Sequence, residues 1–206
     1  MRLLAKTIVG SDIWKMNTKD SDKDYFEIYL DSTRNIFRGT PEKLKKFSNT
    51  PEADTHRHEL QKVIEQLLNG NINFLIAVTS PIVIESTKVF EELREITFRN
   101  ISKNSFDSIR GMAKHNYIRY ILNNDDTSEK RCNKILRQLQ FGITLLKYRK
   151  LEYKPFTDGT PDLIKKKFIE LQWEYTQSTI PEKPDEEEFR AFLCRVRRSD
   201  WWNQVW

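Results

Sequence analysis

A short apolar run, Leu3 to Val9, stops at Gly10-Ser11, and about ten residues later Asp22-Lys23-Asp24 opens a second run, Tyr25 to Leu30, with aromatic and β-branched residues. This pattern restricts the start of the chain to two strands separated by a tight glycine bend. Gly10 lets the backbone turn sharply and lets an anion approach it, and Ser11 adds a hydroxyl. A helical turn beginning at Ser11 would present amide N–H groups and the positive end of a dipole to a phosphate. On a strand, residues i and i+2 share a face, so Asp22 and Asp24 project together. Two carboxylates so close repel each other unless a cation lies between them, and oxygen-only ligation suits Mg²⁺ or Mn²⁺. The layout is that of a two-metal phosphoryl-transfer site.

Asp54 stands just before Thr55 to His58, a segment able to pair beside the Asp22 strand, and is the candidate third carboxylate, with Glu59 as the runner-up. Either acid also suits the first turn of the following helix, where negative charge is favourable. His56 and His58 alternate as strand neighbours do; they are read as surface or packing residues or as contacts near the site, a transition-metal pair being the alternative. Lys130, Lys134 and Arg137 fall at i, i+4 and i+7 of a helical stretch and share one face, which suits triphosphate oxygens or simply solvent. Three of the five tryptophans, Trp201, Trp202 and Trp206, close the chain. They are expected to fold back as core, the alternative being stacking on bases or a partner.

Gly-Ser, a spacer and Asp-x-Asp between strands resemble the signature of DNA polymerase beta-like nucleotidyltransferases. The likeness extends to a branch of small predicted nucleotidyltransferases, the YcgL-like family, over nearly the whole chain. It is carried by Gly10 to Tyr29, Asp54 with Glu59-Leu60-Gln61-Lys62, Gly70 to Leu75, Ile109 to Ala113, the basic helix, and Ile180-Pro181-Glu182-Lys183-Pro184-Asp185. The chain departs from that pattern at Lys15-Met16, where relatives often carry a Gly, at Leu75-Ile76-Ala77, where they often carry a Glu, and at Lys134, where a His is common. The resemblance implies Mg²⁺- or Mn²⁺-dependent transfer of a nucleoside monophosphate to an acceptor hydroxyl, with RNA, tRNA included, as the acceptor first in line. It assigns Asp22, Asp24 and Asp54 to metal binding and catalysis, and Gly10, Ser11, Lys130, Lys134 and Arg137 to the nucleotide. A catalytically silent nucleotide- or RNA-binding relative and a toxin-like protein modifier are the competing readings.

Along the chain, Leu60, Val63, Ile64, Leu67 and Leu68 recur at helical spacing, and Asn73 to Thr79 reads as a strand. Ser80-Pro81 reads as a helix cap opening a helix through Val89, Phe90 and Leu93. Pro41 and Pro51 break the polar stretch before Thr55, and four helical stretches follow Ser102: Phe106 to Leu122, Ser128 to Lys147, Pro161 to Tyr175 and Asp185 to Arg197. The expected architecture is α+β, with a small nucleotidyltransferase-type mixed sheet over residues 1–100 and a helical bundle over 101–206. At 206 residues the chain is long enough for one core with a helical lobe, and its net charge of +5 is compatible with a nucleotide or RNA partner. Cys132 and Cys194 make no disulfide framework, and no apolar stretch suits a membrane span or a secretory leader, so a cytoplasmic protein is expected.

Overall fold

The two short runs on either side of the glycine bend are realised as a β ladder. In the computed structural model, which describes residues 1–17, 21–40, 47–50 and 53–205 with backbone alone at 47–49 and 203–205, β1 (Arg2–Ile8) pairs antiparallel with β2 (Lys23–Leu30). Lys6 stands opposite Glu27 and Thr7 opposite Phe26. A short helix, α1 (Thr33–Phe37), follows, capped by the Ser32 hydroxyl accepting from Asn35 N at 3.4 Å. Next come β3 (Phe47–Asn49) and β4 (Ala53–Glu59), and β4 pairs in parallel with β2, placing Asp24 opposite Asp54 and Glu27 opposite Arg57. Pro41, Pro51 and Trp206 lie outside the described residues.

Helices α2 (Leu60–Leu68) and α3 (Ile72–Val78) follow. The segment expected as a strand at Asn73 to Thr79 is therefore helical. A short continuous apolar run carries no period that separates strand from helix; here Phe74, Leu75, Ala77 and Val78 are buried, and the Thr7 hydroxyl donates to the Ala77 carbonyl at 3.0 Å. The expected helix start at Ser80-Pro81 is also displaced. Ser80 is fully buried and donates its hydroxyl to the Ile8 carbonyl at 2.6 Å, so the chain stays against β1 and forms β5 (Val83–Ser86). Only then does α4 (Lys88–Arg99) begin, with Thr87 as its cap. The sheet order is β3-β4-β2-β1-β5, with β2 and β4 as its parallel pair. The architecture is α+β, a mixed sheet with helices followed by a helical C-terminal region.

The chain divides into two compact units. The first comprises Met1–Leu68, Asn73–Asn100 and Asp185–Trp206, and the second Asn69–Ile72 and Ile101–Pro184. Within the second lie α5 (Phe106–Asn116), continued by a π-helical turn over Tyr117–Leu122, then α6 (Glu129–Tyr148) and α7 (Pro161–Gln177). Ile135, Leu136, Leu139 and Ile143 of α6 are buried at helical spacing, and Gly142 leaves room for Leu171 and Ile109. The last helix, α8 (Glu186–Val205), was expected with the helical half but belongs to the first unit. Phe189, Phe192 and Val196 form its buried stripe, and Arg197 bonds the Glu59 carboxylate and the Asp31 carbonyl. Both cysteines are free thiols. Among the described residues no helix is long and apolar enough to cross a membrane.

Candidate active site

Gly10 adopts φ +69°, a conformation that suits glycine, and the chain passes into a single 3-10 turn over Asp12–Trp14. Trp14 N and Met16 N both donate to the Ser11 carbonyl, at 3.2 and 3.1 Å, while buried Ile13 and Trp14 pin the turn to the core. The expected helix start at Ser11 thus amounts to one short turn, with little dipole to offer an anion. Lys15 closes it at φ +54° in the left-handed region. At the position of this departure a glycine would fit without the strain of about 1–2 kcal/mol that a side chain incurs, so Lys15 holds the turn at a backbone cost.

The glycine also has a task the sequence did not announce. The Asp24 carboxylate lies directly on Gly10, where a β-carbon would stand 1.8 Å from Asp24 Oδ2. Val9 N donates to the Asp24 carbonyl at 2.8 Å, which locks the bend against β2. Across the parallel ladder, Asp54 occupies the register position beside Asp24. Its Oδ1 is buried and has no hydrogen-bond partner among the described residues, a costly state for a carboxylate oxygen. The Asp24 carboxyl is pushed above the usual range, first by burial, then by the charges of Asp22 and Asp54, with His56 opposing and Asp12 adding to the rise. Asp22, just before β2, is therefore felt at Asp24 as a neighbouring charge.

Asp12 escaped the sequence reading. It sits inside the Gly-Ser turn and holds Lys23 Nζ at 2.9 Å; a carboxylate one residue beyond Gly-Ser is the signal that marks it. Glu59 is removed as a site acid, because it lies at the far end of β4 and binds Arg197 and the backbone of Asp31 and Gln61. The two histidines part company. His58 packs on Phe26 at 4.9 Å and Phe74 at 4.7 Å, whereas His56 is exposed near Asp24.

Lys130, Lys134 and Arg137 all lie on α6 of the second unit, while the carboxylates belong to the first. Lys130 is exposed, Lys134 stands 5.5 Å from the Tyr120 ring, and Arg137 is half-buried. The tryptophans overturn the expectation of a buried cluster: Trp201 is 37% and Trp202 54% exposed. Phe189, Phe192 and Val196 make the buried stripe of this helix, and Trp201 and Trp202, five and six residues beyond Val196, fall off its 3–4-residue spacing. Among the described residues, no group of three or more His, Cys, Asp or Glu side chains is poised to hold a metal ion as it stands.

A mixed sheet with acidic residues facing a glycine bend has the organisation of a DNA polymerase beta-type nucleotidyltransferase core. A family model described as "RlaP: RNA repair pathway DNA polymerase beta family" matches residues 1–189, and the chain belongs to that family. The resemblance to the DNA polymerase beta-like superfamily seen in the sequence agrees with this membership. No curated protein matches the chain.

Proposed function

We propose that the chain transfers a nucleoside monophosphate from a nucleoside triphosphate to an acceptor hydroxyl, an RNA end in the first instance, with Mg²⁺ or Mn²⁺ held by Asp22, Asp24 and Asp54. The observation that carries this reading is the buried Oδ1 of Asp54, unbonded among the described residues, beside Asp24 at the glycine bend. A cation is the partner that an oxygen of this kind lacks, and it would offset both the burial and the repulsion from Asp22 and Asp54 that raise Asp24. The donors are all carboxylate oxygens, which suits a hard divalent ion. Bound there, the metal would supply charge neutralisation for the triphosphate and a more acidic acceptor hydroxyl.

The protein's own residues then position and move protons. Gly10 keeps the Asp24 carboxylate at the bend, and Ser11 offers a hydroxyl to the phosphates. The acceptor oxygen attacks the α-phosphorus, its proton passes to Asp54, and the bond to the bridging oxygen breaks so that pyrophosphate leaves.

Incubation with each α-labelled nucleoside triphosphate, Mg²⁺ and total cellular RNA and protein tests the reading. Label that nuclease removes and protease does not, lost on chelation and in Asp54→Asn, is the expected result. Protease-sensitive label would transfer the chemistry to a protein acceptor. Nucleotide binding without pyrophosphate release would make the chain a silent relative.

A further inference from the structure

The first unit carries a second surface, remote from the carboxylates, that the transfer chemistry does not use. α1 presents Arg34, Phe37 and Arg38, three exposed residues spaced for one helix face, and Phe37 is 80% exposed. α8 presents Arg198, Trp201 and Trp202 at i, i+3 and i+4, and all three are exposed. The Trp201 ring meets Phe37 edge-on at 5.8 Å, and Thr33, Phe37, Arg197, Arg198 and Trp201 line a groove of about 420 Å³. Large aromatic rings left in water beside a groove are a standing cost unless something covers them.

Charge identifies the occupant. The carboxylates nearby are engaged: Asp200 accepts from Thr33 N at 2.8 Å, Asp31 from Ser32 N at 2.7 Å, and Glu59 binds Arg197. Arg34, Arg38 and Arg198 form no ion pair among the described residues. Three guanidinium groups with no ion pair among the described residues, set around three exposed rings, complement a polymer that alternates phosphates with flat bases. A single-stranded nucleic acid has that chemistry, and stacking accepts any base.

We propose that this face is a stacking platform for the unpaired segment of an RNA substrate, a deepening that rests on the transfer reading above. Bases stack on Phe37, Trp201 and Trp202, and Arg34, Arg38 and Arg198 take the phosphates. The platform lies beyond the C-terminal end of β2, whereas Asp24 lies near its N-terminal end. The rise of a strand puts about 20 Å between Asp24 and Leu30. A strand held on the platform thus leaves a few nucleotides of reach toward the carboxylates, which gives the site a preference for RNA with an unpaired stretch.

Binding of a fluorescein-labelled single-stranded RNA of about 12 nucleotides, followed by anisotropy with a chelator and no triphosphate, separates this proposal from the chemistry. Phe37→Ala and Trp202→Ala should each weaken binding about fivefold or more. Arg34→Gln with Arg198→Gln should lower the slope of log affinity against log salt by about 0.7 per arginine. A duplex of the same sequence should bind more weakly than the single strand. Wild-type affinity in Phe37→Ala and Trp202→Ala overturns the proposal, and so does failure of the wild-type chain to bind the single strand, which would leave the face to a protein. Phe37 is too exposed for its truncation to unfold the chain, so a null result there is informative. Nucleotide transfer to a dinucleotide acceptor, too short to reach the platform, should be unchanged in these variants. Absence of that transfer in the wild-type chain would count against the parent reading, while the anisotropy still decides the platform.

Discussion

Asp24 and Glu27 are carboxylates three residues apart on β2, which puts them on opposite faces of the sheet, and they are treated in opposite ways. Glu27 is buried but fully answered. Lys6 at 3.3 Å and Arg57 at 2.8 Å flank it from the neighbouring strands, and Tyr29 donates its hydroxyl at 2.9 Å. Burial alone would push the Glu27 carboxyl up; these partners bring it below the ordinary range. Asp24 has acidic residues for neighbours and is held above that range. A carboxylate on one strand is therefore an element of stability on one face and an unresolved charge on the other. Strong perturbation without a compensating partner marks a functional group better than the presence of an acid does.

The comparison breaks most directly at Asp24. Asp24→Asn should lower nucleotide transfer by at least about a hundredfold. The melting temperature should hold or rise, because a repelled carboxylate is removed. Equal turnover with a lower melting temperature would make Asp24 structural and erase the contrast. Steady-state transfer rates beside calorimetry read both quantities.

Gly10→Ala sharpens the same contrast from the backbone side. Its β-carbon falls on Asp24 Oδ2 and its φ of +69° is strained for alanine. We expect a loss of about 1–3 kcal/mol in stability, and a drop in transfer as Asp24 is displaced. Transfer at the wild-type rate in a destabilised Gly10→Ala protein would show that the position of Asp24 at the bend is immaterial.

Glu27→Gln should leave transfer nearly intact and lower stability by about 1.5–3 kcal/mol, the range for hydrogen bonds to a charged group. The pH dependence follows from the depressed carboxyl. Its contribution is fully present above the unfolded value of about 4.3 and is lost as pH falls through the lower folded value. Urea unfolding of the wild type and Glu27→Gln should therefore converge on acidification. A gap that stays constant into acid would show that the Lys6 and Arg57 pairs contribute little.

Much of this was legible in the chain. The strands on either side of Gly10 follow from their short apolar and aromatic runs, and the bundle helices follow from repeats such as Ile135, Leu136, Leu139 and Ile143. The run at Asn73 to Thr79 was not legible as a helix, since the five apolar residues in a row from Phe74 to Val78 carry no period. Ser80 was misread because its capping chemistry was spent on the Ile8 carbonyl, a partner 72 positions away. Asp12 and the Glu27 network were missed for a related reason. A lone acid in a turn and an acid inside a strand look alike until their cross-strand neighbours are known.

The sequence by itself determined the apolar and aromatic runs that make β1 and β2, the glycine at the bend, and the acids available to the site, because these depend on local backbone preference and residue chemistry. Only the tertiary structure decided which acids are neutralised, that Asp54 stands opposite Asp24, and that Trp201 and Trp202 face water. Those outcomes depend on strand register and on the angle at which a residue leaves its helix, and both are set by the packing of segments far apart in the chain.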